Sequence, residues 1–461
     1  MKILQVVNGY PPVDQAGTEL CTYQLSKSLA ERGHELHVFC REAHGNTSEF
    51  SCRRESLDGV DITRLNNNLL VIDNPMMYYK NHRIESIFRD YLRALRPDIV
   101  HFQHCIGLSA SLIYIVSSAR YPALMTLHDF WFLCERIQLL RPDGTICDGP
   151  EEGANCVACL HSPENRRPGP IASHPMIQHR WAQRYKRLCP AFLRQILKRF
   201  LVPGGLDLTA TPSPFPTHSI LLSDTSFRVR YLRETLKKLD LLLTPSRFMK
   251  QVYVDHGIPD DKIMVLPHGV KPAGVQSKIT AEPGKISFLF MGVIMPHKGL
   301  HVLLKAFQRL DPSRVRLECW GCPTPEHEAY YARLQREVEG WPVTFHGRYD
   351  NSALAQILSR ADLLVVPSLW KETFSVVSHE AFTAGVPVAA PSIGVFPEIV
   401  HNRENGILFR VGDAEDLADK LKKIVSEPGI LQRFTKRMPV VKGVSEHAAE
   451  MEAIYHDLVQ R

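Results

Sequence analysis

The sequence predicts an α/β protein of two domains, each a doubly wound parallel sheet, facing one another across a central cleft. Three observations predict it. Short apolar runs alternate with segments of helical apolar spacing along most of the chain, a succession for which a parallel sheet flanked by helices is the economical arrangement. The chain is 461 residues long, more than one core usually organises. A Gly/Pro-rich stretch, Pro267 to Pro283, divides the alternation into two series. The composition, 44% hydrophobic and 23% charged, is a globular balance that excludes a wholly disordered, collagen-like or coiled-coil chain.

The first series opens with Ile3, Leu4, Val6 and Val7, a buried-strand run ended by Gly9, Pro11 and Pro12. From Thr18 the spacing becomes helical, with Cys21, Leu25 and Leu29 about four apart. Gly33 stops that helix and Leu36 to Cys40 returns to strand. Further strands are expected at Ile99 to Gln103 and Ala123 to Leu127. The second series begins at Lys285, with strands at Ile286 to Met291, Arg314 to Trp320, Val343 to His346, Asp362 to Val366, Val386 to Ala390 and Ile407 to Phe409. Each of the first five is followed by helical spacing or capping signals, as where Ser375 precedes a helix that Gly385 and Pro387 end. The expected division is residues 1–275, then 283–440, then a C-terminal helix over 441–461 for which a return to the first domain is one arrangement. The first part includes a cysteine-rich loop at 134–160 and a basic helical insertion at 165–240. Open α/β sheets bind ligands beyond the carboxyl ends of their strands. The loops Gly9 to Gly17, at His128, Gly292 to Gly299 and Ser368 to Ser375 should therefore face one another.

Charge is local. Residues 161–240 hold 14 Lys/Arg against 5 Asp/Glu, a local +9, while the chain as a whole is +6, leaving −3 for the rest. Residues 180–199 carry seven Lys/Arg and no acid. Ile177, Trp181, Tyr185 and Leu188, then Phe192, Ile196 and Phe200, repeat at helical spacing and describe two short basic amphipathic helices. Such helices lie on an anionic membrane surface or pack their apolar stripe on a domain. No nucleic-acid motif accompanies the charge, so nucleic acid is not an expected partner. With no run of about 18 apolar residues and no signal-like start, a cytoplasmic location is expected, with peripheral contact at the inner membrane face as the membrane reading.

Cys134, Cys147, Cys156 and Cys159 fall within 26 residues, the last two as Cys-x-x-Cys in a Gly/Pro-rich loop. Four thiolates suit a structural zinc or an iron-sulfur cluster; reduced thiols are the alternative. The second Cys-x-x-Cys, Cys319 and Cys322, ends a core strand without a partner pair and reads as structural.

The most informative stretch is Val365 to Pro387, VVPSLWKETFSVVSHEAFTAGVP. Glu372 falls in the loop after a strand and Glu380 in the following helix. Eight residues at about 100° each leave a pair roughly 80° apart on a helix, so a loop position is what lets Glu372 share a ligand with Glu380. The helix start offers free N–H groups at Ser375, Val376 and Val377 and the positive end of a dipole, which suit a diphosphate. Carboxylates suit hydroxyls. Together they describe a nucleotide sugar, one carboxylate for a ribose diol and the other for sugar hydroxyls.

This segment resembles the retaining glycosyltransferases of family 4, with their Glu, seven residues, Glu motif and GT-B fold of two Rossmann-like domains. Further matching segments run in order along nearly the whole chain: PPVDQAGTE and then RGHEL, LLTPSRF near residue 241, VLPHGV at 265–270, FMGVIMPHKG at 290–299 and PEIVHNRENGILF at 397–409. The resemblance implies that Glu380 binds the donor ribose, Glu372 the transferred sugar, Lys298 the diphosphate, Gly17 the phosphate region from the opposite domain, and His128 the reacting sugar or acceptor side. Phe374, Ser375, Val376 and Gly292 then belong to the donor side. It implies no catalytic metal and same-face attack assisted by the leaving phosphate. One position departs: the family usually has an Arg directly after the Gly of the 292 segment, and here it is Val293. His297 and Arg348 are the basic residues available in its place, unless Lys298 and the helix amides suffice. The expected activity is transfer of a hexose from a nucleoside diphosphate sugar to a polysaccharide or lipid-linked acceptor. A nucleotide-sugar epimerase or hydrolase of the same fold, and a noncatalytic nucleotide-sugar-binding assembly protein, are the alternatives.

Overall fold

A computed structural model describes residues 1–45, 47–69, 75–161, 220–274 and 284–461. The two basic helices expected between 177 and 200, and the hinge beyond residue 274, lie outside the described residues.

The first sheet has eight strands: β1 (Lys2–Val7), β2 (Glu35–Glu42), β3 (Cys52–Leu57), β4 (Val60–Asn66), β5 (Ile99–Phe102), β6 (Ala123–Thr126), β7 (Leu241–Thr244) and β8 (Ile263–Val265). Their order is β3-β4-β2-β1-β5-β6-β7-β8, parallel throughout except for the antiparallel β3–β4 pair. Helices cover both faces, so β5 and β6 read IVHF and ALMT with every residue buried. The β3–β4 hairpin escapes a search for apolar runs because β3, CRRESL, is a charged and largely exposed edge strand. Its turn is legible all the same. Asp58 and Gly59 both have positive φ, the two-residue Asp-Gly connection whose twist matches a hairpin.

The second sheet has six strands: β9 (Ile286–Met291), β10 (Val315–Trp320), β11 (Val343–Gly347), β12 (Leu363–Val365), β13 (Val388–Pro391) and β14 (Gly406–Phe409). The order β11-β10-β9-β12-β13-β14 is parallel at every pairing. Strand order reverses between β1 and β5 in one domain and between β9 and β12 in the other. At such switch points the loops diverge to opposite faces of the sheet and leave a crevice. The crevices open at Asn8 and Gln103 on one side and at Gly292 and Val366 on the other.

The two domains touch through the loop after β12. Thr373 Oγ1 donates to the His128 carbonyl at 2.7 Å, and Ser246 Oγ donates to the Thr373 carbonyl at 2.8 Å. The Glu398 carboxylate accepts the amides of Arg247 and Phe248 at the start of the helix Arg247–Asp255, where the dipole favours an anion. The C-terminal helix Val444–Gln460 packs on the first domain, burying Ala448, Met451, Tyr455 and Leu458 in the same cluster as Ile3, Leu25, Leu29 and Leu36. Tyr455 Oη also reaches His101 Nδ1 at 2.7 Å. At about 1.5–3 kcal/mol for each large apolar side chain removed from water, this seam ties the chain's end to β1.

Candidate functional site in the interdomain cleft

A cavity of about 610 Å³ lies between the domains, lined by Asn8, Gly17, Glu19, Arg41, His104 and His128 from the first and by Gly292, Val293, Lys298, Glu372, Phe374, Ser375, Val376 and Val377 from the second. A cavity of similar size on the flank of the first domain, about 660 Å³ and lined by Lys80, Arg89, Tyr114 and Tyr231, takes no residue from the second domain.

Glu372 is 8% exposed. Its Oε1 accepts from Lys298 Nζ at 2.7 Å, Ser368 Oγ at 2.8 Å and Trp370 Nε1 at 2.9 Å. All three donors converge on one oxygen, which leaves Oε2 for a ligand. The loop is held from behind: Val395 donates its amide to the Glu372 carbonyl at 2.9 Å, and Gly394 backs onto the same peptide. Gly394 has φ +64°, and a Cβ there would stand 2.7 Å from the Glu372 carbonyl oxygen, so only glycine fits. Lys298 ends a short turn, Pro296–Lys298, ahead of the helix Leu300–Phe307, and its ammonium lies 5.2 Å from the centre of the Trp370 ring.

Ser375 caps the helix Val376–Thr383 in the left-handed region, φ 61° and ψ 74°. A serine held there costs of order 1–3 kcal/mol, and the strain sits where first-turn N–H groups lack intrahelical partners. Those of Val376 and Val377 belong to residues lining the cleft. Phe374 stacks on His379 at 4.1 Å and meets His268 edge-on at 4.9 Å.

Glu380 does not line the main cavity; it lies further along the same helix. Burial pushes its carboxyl up to about 7, and its charge is felt by the Cys21 thiol across the cleft and by the Tyr349 phenol. His128 Nε2 pairs with Gln103 Oε1 at 2.8 Å, and the ring stacks on His268 at 4.8 Å. Burial first, then the neighbouring His104, holds His128 well below the usual imidazole range. It is therefore neutral at pH 7, a hydrogen-bonding group and not a cation. Gly17 opens the helix Gly17–Glu31, and neither it nor Gly292 has an atom within 4 Å of where a Cβ would point.

Val293 is 45% exposed on the cavity wall and supplies no charge. Neither expected substitute supplies it. His297 is pushed down to about 3 by burial and by Lys298, and its Nε2 faces Gln138 at 3.2 Å. Arg348 is exposed and outside the cavity lining. The cation that does line the cavity, besides Lys298, is Arg41 from the opposite domain. Sequence reading missed Arg41, Asn8, Glu19, His104 and His268. They are scattered along the chain: Asn8 directly after β1, Glu19 in the helix that follows it, Arg41 near the end of β2, His104 after β5 and His268 after β8, and only their common position at the carboxyl edge of the sheet could have flagged them.

The four cysteines read as a metal set lie near enough for Cys134 and Cys147 to act on the Cys159 thiol through their field. Among the described residues no three His, Cys, Asp or Glu side chains are grouped as a metal ion needs. Cys134, Cys147, Cys156 and Cys159 are free thiols. Burial pushes Cys156 up to about 12 and Cys159 up to about 11 as free thiols. Cys147 Sγ instead faces the Gly149 carbonyl at 3.3 Å. Metal analysis of untagged protein separates the two readings: zinc or iron near one equivalent means coordination, and its absence means reduced thiols. The loop does serve the cleft. Gln138 contacts His297, and Lys371 of the second domain reaches the Cys147 carbonyl and Asp148, both at 3.4 Å.

Comparison with known proteins bears on the whole arrangement. Residues 16–203 match the family Glycosyltransferase Family 4, and residues 275–439 match Glycosyl transferases group 1. A D-inositol 3-phosphate glycosyltransferase of Stackebrandtia nassauensis is 27% identical over 54% of this chain and 59% of its own length. An uncharacterised 41.2 kDa protein in the cps region of Klebsiella pneumoniae is 28% identical over 40% of this chain and 51% of its own. The chain thus matches about half the length of these relatives. Among solved structures, the sucrose-phosphate synthase of Thermosynechococcus elongatus superposes with a TM-score of 0.65 at 17% identity, covering 100% of both chains. Anabaena HepE in complex with UDP and glucose gives 0.62 at 14% identity over 99% of each. At these identities the likeness is one of fold, GT-B.

Proposed function

The chain belongs to glycosyltransferase family 4, and from that premise we propose that it moves a hexose, with retention at the anomeric carbon, from a nucleoside diphosphate sugar to a polysaccharide or lipid-linked acceptor. The observation that carries the reading is the Lys298–Glu372 pair, 2.7 Å apart, beside first-turn amides of the helix that bears Glu380. In this reading the diphosphate lies against Lys298 and the amides of Val376 and Val377. Glu380 accepts the ribose hydroxyls, and Glu372 Oε2 accepts hydroxyls of the sugar. The bond from the anomeric carbon to the diphosphate breaks, and both electrons leave with the phosphate oxygen. The acceptor oxygen bonds to the same face of the carbon as an oxocarbenium-like centre develops, and its proton passes to the departing phosphate. Charge therefore grows where Lys298 and the helix start already point. In this reading Glu372 positions the sugar and is not the nucleophile: Oε1 is engaged by three donors and Oε2 by the sugar hydroxyls.

Calorimetry with UDP-glucose and GDP-mannose tests the reading: one of them should bind, and binding of neither counts against it. Glu380→Ala should weaken the donor that binds by about tenfold or more, on the scale of a charge-assisted hydrogen bond. Donor affinity should also follow pH. Ribose hydroxyls donate to a carboxylate and only poorly to a carboxylic acid, and the Glu380 carboxyl is raised to about 7. Affinity is then low below pH 6 and rises through pH 7, up to about tenfold in total between pH 6 and 8. Glu380→Gln should flatten that rise; an unchanged slope would remove Glu380 from the ribose.

A further inference from the structure

The first-domain wall of the cleft contains three polar atoms that nothing in the described residues satisfies. Arg41, at the end of β2, is 7% exposed. Its Nε donates to the Asn67 carbonyl at 2.8 Å, yet its Nη2 is buried without a hydrogen-bond partner among the described residues. The placement is built. Asn67 Nδ2 donates to the Gly107 carbonyl at 2.8 Å, and Gly107, at φ +69°, lets the arginine stem pass where a Cβ would stand 2.4 Å from Arg41 Cδ. Burial lowers the Arg41 pKa, and the field of Asp14 and Glu49 acts against that. Glu19, 5% exposed, accepts from Asn8 Nδ2 at 2.6 Å through Oε1, while its Oε2 and Asn8 Oδ1 are buried without partners.

A buried polar group left unpaired is destabilising, more so when charged, and all three residues line the one cavity. A ligand that satisfies them must offer an acceptor to Arg41 and hydroxyl donors to Glu19 and Asn8. A guanidinium taken out of water is matched best by an anion. The geometry points to an acceptor subsite for an acidic sugar or polyol, its carboxylate or phosphate on Arg41 Nη2 and its hydroxyls on Glu19 Oε2 and Asn8 Oδ1. This rests on the nucleotide-sugar reading above and names the class of acceptor for it.

Calorimetry on the full chain saturated with UDP or GDP, whichever binds, tests it with three probes: methyl glucoside, methyl glucuronide and glucose 6-phosphate. At least one anionic probe should bind about tenfold or more tightly than the neutral one, and which one does so identifies carboxylate or phosphate. Arg41→Gln should abolish that preference and change nucleotide affinity less than about twofold. Glu19→Gln should weaken all probes while keeping their ratio. Equal binding of the three, binding of none, or a preference that survives Arg41→Gln overturns the subsite. A parallel fall in nucleotide affinity also overturns it, assigning the guanidinium to the leaving diphosphate. If neither nucleotide binds the wild-type chain, the failure lies instead with the function proposed above.

Discussion

Lys298→Ala is expected to lower kcat for sugar transfer by about 10²–10³-fold, the range seen when a single preorganised donor to a developing oxyanion is removed. The size of the effect follows from what else is present. The second domain has the uncharged Val293 on the cavity wall, His297 is neutral, and Arg348 is exposed away from the cavity. Lys298 is thus the cation with which that domain lines the cleft, and the helix amides supply only partial charge. The ammonium is also held ready by Glu372 and Trp370, so little reorganisation precedes the chemistry. Steady-state kinetics checks the expectation, with nucleotide binding measured separately. A loss smaller than about tenfold would mean that the amides, or Arg41 from across the cleft, carry the charge.

How much of this was legible in the sequence depends on how local the signal is. β9 was read over Ile286 to Met291 and occupies those residues, because ISFLFM is an apolar run in the middle of a parallel sheet. The β3–β4 hairpin was missed because an exposed edge strand has no apolar run, though its Asp58-Gly59 turn was there to be read. β7 and β8 were also passed over. They are four and three residues long, no shorter than β6 and β12, which are legible, so length is not the reason; β8, IMV, exposes its central Met264 and so has no buried run.

The site divides along the same line. Glu372, Ser375 and Val376 lie within five residues, so spacing alone joined them. Lys298 is 74 residues from Glu372, and only the order of the motifs suggested that the two meet. The Arg41, Glu19 and Asn8 wall draws on three separate segments of the first domain. It exists only because the sheet order brings the ends of β1 and β2 together beside the helix Gly17–Glu31, and periodicity contains no statement of that order. For the cysteines, proximity in sequence suggests a coordination set; Cys156 and Cys159 lie one turn apart on the helix Ala154–His161, and Cys147 Sγ faces the Gly149 carbonyl.

Glu372→Gln should cost transfer about as much as the loss of Lys298 while leaving nucleotide affinity within about threefold. The substitution keeps shape and removes charge. Lys298, Ser368 and Trp370 all donate to Oε1, so the glutamine must place its carbonyl oxygen there to avoid opposing N–H groups. Its NH2 then occupies the position of Oε2 and presents donors where sugar hydroxyls had donated. A buried acceptor turned donor is a mismatch of about 1–3 kcal/mol, and Lys298 loses its counter-charge in the same step, so its ammonium is no longer fixed against the phosphate. Both effects fall on the sugar and the breaking bond, and neither touches Glu380 or the amides of Val376 and Val377, which hold the nucleotide in the proposed mode. Calorimetry with the nucleoside diphosphate and single-turnover transfer with the intact donor separate the two. If affinity for the diphosphate fell as far as the rate, Glu372 would be acting on the nucleotide half of the donor, and its assignment to the sugar would have to be withdrawn.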